Sequence, residues 1–352
     1  MTRRRTRAAL VAIFVATAMA GVPAVAAAHV AVGIGDNNRE IFTDPRFLAL
    51  GIRYVRDDIA WNAVNVPVER ANLAAWVAGA QADGLTPMIT FDHVIGSVRT
   101  QRRLPTVAQF SRAFLKLRGL FPTVTEFETW DEANFYLEGT AFNPKRAAQY
   151  YLALRRDCPT CTIISPDLLD VPRTEAVPIV TWVHQFLRYS HGQPGIWGLN
   201  NYFGANRLER QTTKQLLHAV RGKIWFAETG GIVRRRNGSS VGFRQGAKHA
   251  AKVDRFILRT LVNLSPRIQR VYLYEWRAVS AHDTWDSALI SWTGVPRPAY
   301  GVLANTLALW GISPNCSIST VPPPCAGSTG PTAASLRSRN PVLTVRPTAR
   351  GS

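Results

Sequence analysis

Two glutamates stand where short apolar runs end. Glu132 follows the run Val124–Trp130, in Trp130-Asp131-Glu132-Ala133-Asn134, and Glu228 follows Lys223–Ala227, ahead of Thr229-Gly230. Two carboxyls held face to face across a pocket suit cleavage of a glycosidic bond. One protonates the leaving oxygen, while the other attacks the anomeric carbon and carries its developing positive charge. A gap of about 5–5.5 Å between them retains the anomeric configuration, and about 6.5–9.5 Å inverts it. Taken singly, either glutamate is more readily a cap or an ion-pair partner at a loop start. The pairing, with both in aromatic settings, is what favours chemistry.

Something must bring two such distant residues together. Short apolar or β-branched runs recur at His29–Gly35, Arg53–Asp57, Pro87–Phe91, Val124–Trp130, Thr162–Ser165, Ile196–Tyr202, Lys223–Ala227 and Arg270–Trp276. Between them apolar residues fall at helical spacing: Leu73, Trp76, Val77 and Ala80; Phe110, Phe114 and Leu117; Trp182, Val183, Phe186 and Leu187; Phe256, Ile257 and Leu261. Asn143-Pro144 reads as an N-cap followed by proline at the first helical position. Strand starts spaced by roughly 25 to 45 residues suit βα units. Eight of them over residues 29–311 predict a (β/α)8 TIM barrel, whose working face lies at the C-terminal ends of the strands. On that frame Glu132 ends strand four and Glu228 ends strand seven. The rival, a doubly wound sheet, wants a glycine-rich turn after an early strand, and Gly33-Ile34-Gly35-Asp36-Asn37-Asn38 lacks the third glycine.

The flanks carry different signals. Arg3, Arg4, Arg5 and Arg7, an apolar run from Ala8 to Ala20, and Ala26-Ala27-Ala28 have the layout of a secretory signal peptide over 1–28, so a secreted or otherwise extracytoplasmic protein is expected. The alternative is an uncleaved anchor, against which the run is short and broken by Gly21 and Pro23. No later stretch is apolar enough to span a membrane. Residues 312–352 form an extension rich in Pro, Ser and Thr. Four cysteines agree with export. Local disulfides Cys158–Cys161 and Cys316–Cys325 are the simplest pairing, though four cysteines allow three, and Cys-Pro-Thr-Cys is also compatible with a redox pair or half a zinc site.

The strand-end pattern resembles the clan of retaining glycoside hydrolases built on (β/α)8 barrels, clan GH-A, which carry glutamates on strands four and seven. Residues 130–134 are similar to the Trp-Asn-Glu-Pro-Asn signature of its family 39-like branch, and Phe47–Arg56 with Trp61 is similar to that branch's second-strand region. The resemblance implies Glu132 as acid/base and Glu228 as nucleophile. It implies Tyr202 as the tyrosine bonded to the nucleophile, Trp276 as the floor of the sugar subsite, and Arg56 as the arginine that steadies the nucleophile. Asn134, Asn201 and His93 join these as candidate substrate contacts. Rim packing for Tyr202 and Trp276, and an ion pair with Asp57 or Asp58 for Arg56, remain open. Asp131 departs from the clan's asparagine. An ionised aspartate only accepts hydrogen bonds, and beside Glu132 it would raise the pair's apparent pKa values. That change either keeps Glu132 protonated or marks altered specificity or lost activity.

Composition supports a large folded core: 46% of the 352 residues are hydrophobic and 18% charged, which excludes a mainly disordered chain. The net charge is +19, or +15 without the four leader arginines. Arginines follow strand three (Arg99, Arg102, Arg103), strand six (Arg207, Arg210) and strand seven (Arg234, Arg235, Arg236), where they would attract an anionic polysaccharide or simply be solvated. The aromatics Trp61, Trp130, Trp276 and Tyr202 sit at strand ends, where they could stack on sugar faces. No nucleic-acid motif accompanies the charge. No Gly-x-Ser-x-Gly, His-Glu-x-x-His or Walker pattern occurs, and the seven histidines are scattered, so no cofactor or metal is expected. The expectation is therefore a glycosidase acting on a β-linked carbohydrate, with a catalytically silent glycan-binding barrel as the alternative.

Overall fold

The computed structural model describes residues 30–236 and 242–312. The expected leader, most of the C-terminal extension and the Cys316–Cys325 pair lie outside these residues. All eight expected strands form: β1 Ala31–Gly35, β2 Tyr54–Ala60, β3 Thr86–Asp92, β4 Glu126–Glu128, β5 Thr162–Ile164, β6 Ile196–Asn200, β7 Lys223–Thr229 and β8 Ile268–Tyr274. They pair in parallel in the order β5-β4-β3-β2-β1-β8-β7-β6. The β5/β6 seam closes with few bonds: the Ser165 N–H donates to the Ile196 carbonyl at 3.0 Å, and the Asn200 N–H to the Leu168 carbonyl at 2.9 Å. The result is a TIM barrel.

The helices between the strands use the faces the spacing predicts. Pro67–Ala82 opens on proline and buries Leu73, Trp76, Val77 and Ala80. Val107–Leu120 starts at a reciprocal cap between Thr106 and Gln109 and buries Phe110, Phe114 and Leu117. The Asn143 side chain caps Pro144–Asp157, and Ile179–Leu187 buries Trp182, Val183 and Phe186. Cys158 and Cys161 form a disulfide just past the Pro144–Asp157 helix. No described helix is long and apolar enough to cross a membrane.

Alternation along the strands fills the barrel in layers. The lower layer packs Met88, Ile164, Trp225 and Tyr272 together. Arg270 stacks between the Tyr54 and Trp225 rings, 3.8 Å from each centroid, and bonds Glu126. Gly33 on β1 leaves room for Tyr272, since a Cβ there would sit 2.5 Å from that ring. One layer higher come Arg56, Thr90 and Glu128, all buried. Two strands end differently from the expectation. β6 stops at Asn200, so Tyr202 opens the helix Tyr202–Arg207, and β8 stops at Tyr274, two residues before Trp276.

Candidate active site

At the C-terminal mouth of the barrel lies a cavity of about 590 Å³ whose lining includes Glu132, Glu228, Asp131 and Tyr202. The barrel thus brings together four of the residues singled out from the sequence. Beneath them sits Arg56, 1% exposed. Its Nη1 donates to Glu228 Oε2 and its Nη2 to Asp131 Oδ1, each at 2.5 Å. Its Nε donates to Thr90 Oγ1, whose hydroxyl donates on to Glu128 Oε2, both at 2.9 Å. The Tyr202 hydroxyl donates to Glu228 Oε1 at 2.9 Å, and its ring meets Trp285 edge-on. Glu228 is therefore fixed on both oxygens.

Glu132 is positioned through its backbone. Its φ of +40° lies in the left-handed region that side chains disfavour. Asp167 holds it there, accepting the Glu132 N–H on Oδ1 at 2.6 Å, while the backbone of Asp167 bonds Trp130 and Ala133. Burial, then the negative charges of Asp131 and Glu228, push the Glu132 carboxyl well above its usual range, so it holds a proton. Burial also raises Glu228. Arg56 opposes this, but Asp131 and Asp58 add to it, and Glu228 is pushed up to about 8. One proton donor and one carboxyl gripped by an arginine and a tyrosine can divide acid and nucleophile roles across a bound sugar.

Four other sequence candidates lie elsewhere. The Trp276 ring does not floor the cavity. It is 2% exposed, packed against Phe47 and Tyr300, with Nε1 bonded to Asp44 and its backbone N–H to Asp36. Because β8 ends early, Tyr274 takes the place facing the cavity. Asn134 is consumed by backbone, accepting from Leu169 N–H and donating to the Leu169 and Val177 carbonyls. Asn201 is buried against Thr213. His93 does not line the cavity, and its Nδ1 lies 2.7 Å from Glu138 and 2.8 Å from Asp92. Burial opposes its charge, but those two carboxylates outweigh burial and push it up to about 10. Among the described residues, these three side chains are the group with metal-ligand geometry.

The aromatic expectation also changes. Trp130 is fully buried against Phe110 and Tyr150, with Nε1 donating to Glu138, and Trp61 packs on the core. The rings that do line the cavity are Phe135, Tyr136, Phe203, Phe243, Tyr274 and Trp285 beside Tyr202. Of the arginines expected at this face, Arg235 alone lines the cavity, 3.6 Å from Glu175. Arg234 spends its guanidinium on carbonyls of the loop 280–283, and Arg207 and Arg102 are exposed and tied to carbonyls of Gly242 and Tyr136. Asp58 does pair with Arg56, at 3.7 Å, but neither it nor Tyr274 is expected in the cavity from the sequence, although a period of two gives both away. Asp58 is two residues beyond Arg56, and Tyr274 two beyond Tyr272, on the same inward faces.

No family model matches the chain, and no curated protein matches it. Solved structures do. A family 39 glycoside hydrolase from the gut symbiont Bacteroides cellulosilyticus WH2 superposes with a TM-score of 0.53 at 15% identity, covering 80% of this chain and 64% of that one. The chain thus spans less than two thirds of that neighbour. GH10 from Paenibacillus barcinonensis gives 0.56 at 11% identity over 80% and 95% of the two chains. GH5_18 from Bifidobacterium longum subsp. infantis gives 0.57 at 12% over 80% and 79%. At these identities the likeness is one of fold: the chain has the (β/α)8 barrel seen in glycoside hydrolases of families 39, 10 and 5.

Proposed function

We propose that the chain is a secreted glycosidase that hydrolyses β-linked oligo- or polysaccharide by a two-glutamate retaining mechanism. The observation that carries this is Glu132 and Glu228 in one cavity, on β4 and β7 sides, with an arginine and a tyrosine bonded to the second. In the first step a Glu228 oxygen forms a bond to the anomeric carbon. The bond from that carbon to the leaving oxygen breaks, its electron pair stays on the oxygen, and Glu132 supplies the proton. In the second step water attacks the same carbon, gives its proton to Glu132 and releases Glu228. Among other solved structures of this fold are β-1,4-galactanases and a xylanase, named for polysaccharides of this kind. Export is supported by the leader-like residues 1–28 and by the Cys158–Cys161 disulfide. The exposed arginines outside the cavity support an anionic glycan as one substrate to try.

A second reading, a silent glycan-binding barrel, is favoured by one observation. Glu228, pushed up to about 8, is largely uncharged at neutral pH in the free protein. The test compares the protein with Glu228→Gln on aryl β-glycosides and polysaccharides at pH 6 to 9, followed by mass spectrometry after a 2-fluoro glycoside inactivator. Cleavage lost in the variant, with the label on Glu228, is expected. Binding without cleavage or label at any pH would establish the silent barrel instead.

A further inference from the structure

Asp167, just after β5, is 0% exposed and lies under the cavity without lining it. Its Oδ1 has a clear partner in the N–H of Glu132. Its Oδ2 is buried and meets no N–H or hydroxyl donor, and the same is true of Glu128 Oε1. Both carboxyls crowd the same bare point of β6. A Cβ on Gly198 would fall 2.2 Å from Glu128 Oε1 and 2.4 Å from the Asp167 Cβ. Arg56 Nη2 stands 3.6 Å from Asp167 Oδ2, beyond hydrogen-bond reach. Two carboxylates cannot bond each other, since neither has a donor. A single proton resolves the arrangement.

We propose that Asp167 is a neutral, proton-bearing positioning residue, accepting the Glu132 N–H on Oδ1 while its own O–H donates from Oδ2 to the carboxylate of Glu128. The charges around it require this. Arg56 pairs at 2.5 to 3.7 Å with five carboxyls, those of Asp58, Glu128, Asp131, Asp167 and Glu228. Its contact to Asp167, at 3.6 Å, is among the longest, and its short bonds go to Asp131 and Glu228. Glu128 and Asp167 are the two of these that are fully buried, and the short bonds of the guanidinium go to neither. Burial, Asp131, Glu128 and Glu132 push Asp167 well above the usual carboxylate range, and Arg56 and the Glu132 N–H oppose them. Its neutrality has two consequences. The strained backbone of Glu132 keeps an acceptor that adds no charge to the cluster, and Asp131 stays an ionised acceptor at the cavity surface. This is how the chain accommodates aspartate before Glu132.

The role rests on Glu132 being the acid/base, and the test separates the two ideas. An amide mimics a protonated acid, so Asp167→Asn keeps both the acceptor and the donors, whereas Asp167→Ala removes all of them. The inference expects Asp167→Asn to hold kcat/KM within about threefold of wild type with both limbs of its pH profile unmoved. It expects Asp167→Ala to lose roughly a hundredfold through misplacement of Glu132. It also expects the Tm of Asp167→Asn to match wild type at every pH from 5 to 8. That arm needs no substrate, and it still decides if the alanine variant does not fold or no glycoside is cleaved. Asparagine as damaging as alanine, a displaced pH profile, or a Tm difference that is large or varies with pH would overturn the proposal.

Discussion

At the scale of single residues, the site depends on how one arginine is shared. Arg56 gives its two terminal nitrogens to Glu228 and Asp131, and the Tyr202 hydroxyl takes the remaining Glu228 oxygen. Attack requires Glu228 ionised and departure requires Glu132 protonated. Hence kcat/KM, which reports the free enzyme, should rise with pH through a midpoint near 8, where Glu228 loses its proton, and fall as Glu132 loses its own. Tyr202→Phe removes a bond that favours the Glu228 carboxylate, so the rising limb should move up in pH and activity at pH 7 drop by about tenfold. Asp131→Asn removes a negative charge that raises Glu228, so its rising limb should move down. A pH–rate series on the three proteins decides the matter, and limbs that stay together would mean Glu228 is not the group titrating. Arg56→Met should lower kcat/KM by about 10²–10³, because a buried nucleophile would lose its counter-ion.

At the scale of elements, the sequence carried the frame well and the site unevenly. All eight strands were legible because each is a short apolar run bounded by helical spacing, and parallel barrel strands are buried on both sides. The ends were harder to read. Trp276 looked like a strand terminus, but pairing stops at Tyr274 and the tryptophan is drawn to Asp36, Asp44 and Phe47, contacts remote in sequence. Asn134 and Trp130 look functional by type, yet they serve the loop that carries Glu132. Trp285 and Arg235 meet on a two-residue ribbon between the loops after β7 and β8, a pairing that no local pattern announces. Close packing of elements yields its own prediction. Gly198 lets β6 approach Asp167 and Glu128, so Gly198→Ala should cost about 1–3 kcal/mol through overpacking and depress kcat with little change in secondary structure by circular dichroism. In the lower layer Arg270→Leu should cost about 3 kcal/mol by stranding Glu126, and the Glu126→Leu partner change should restore much of it. Equal losses in the single and double variants would count against that pairing.

At the scale of the whole molecule, buried acids outside the Arg56 cluster set how stability responds to pH. Asp36, Asp170 and Asp254 lie in three different parts of the barrel. Burial pushes each from an ordinary 3.8 to about 7, against the hydrogen bonds that favour their charged forms. The folded state therefore holds protons that the unfolded chain releases above about pH 4. Their contribution is fully present below that pH and is lost as pH rises through about 7. Surface repulsion from the net charge of +19 acts in the other direction at low pH, but it is screened within about 8 Å at 0.15 M salt, and the buried groups are not. Tm should accordingly be higher at pH 5 than at pH 8. Asp254 gives the sharpest check, because its Oδ1 accepts the Gly231 N–H and an asparagine would keep that bond without a charge to bury. Asp254→Asn should match wild type at pH 5 and exceed it at pH 8. A wild-type Tm that is flat or rising across this range, with the variant following it, would show that these aspartates are ionised in the fold. Glu228 ionises near pH 8, just above the range in which the barrel loses this support. Burying acids therefore costs a proton to be lost before attack at the site, and stability in the scaffold over a neighbouring range.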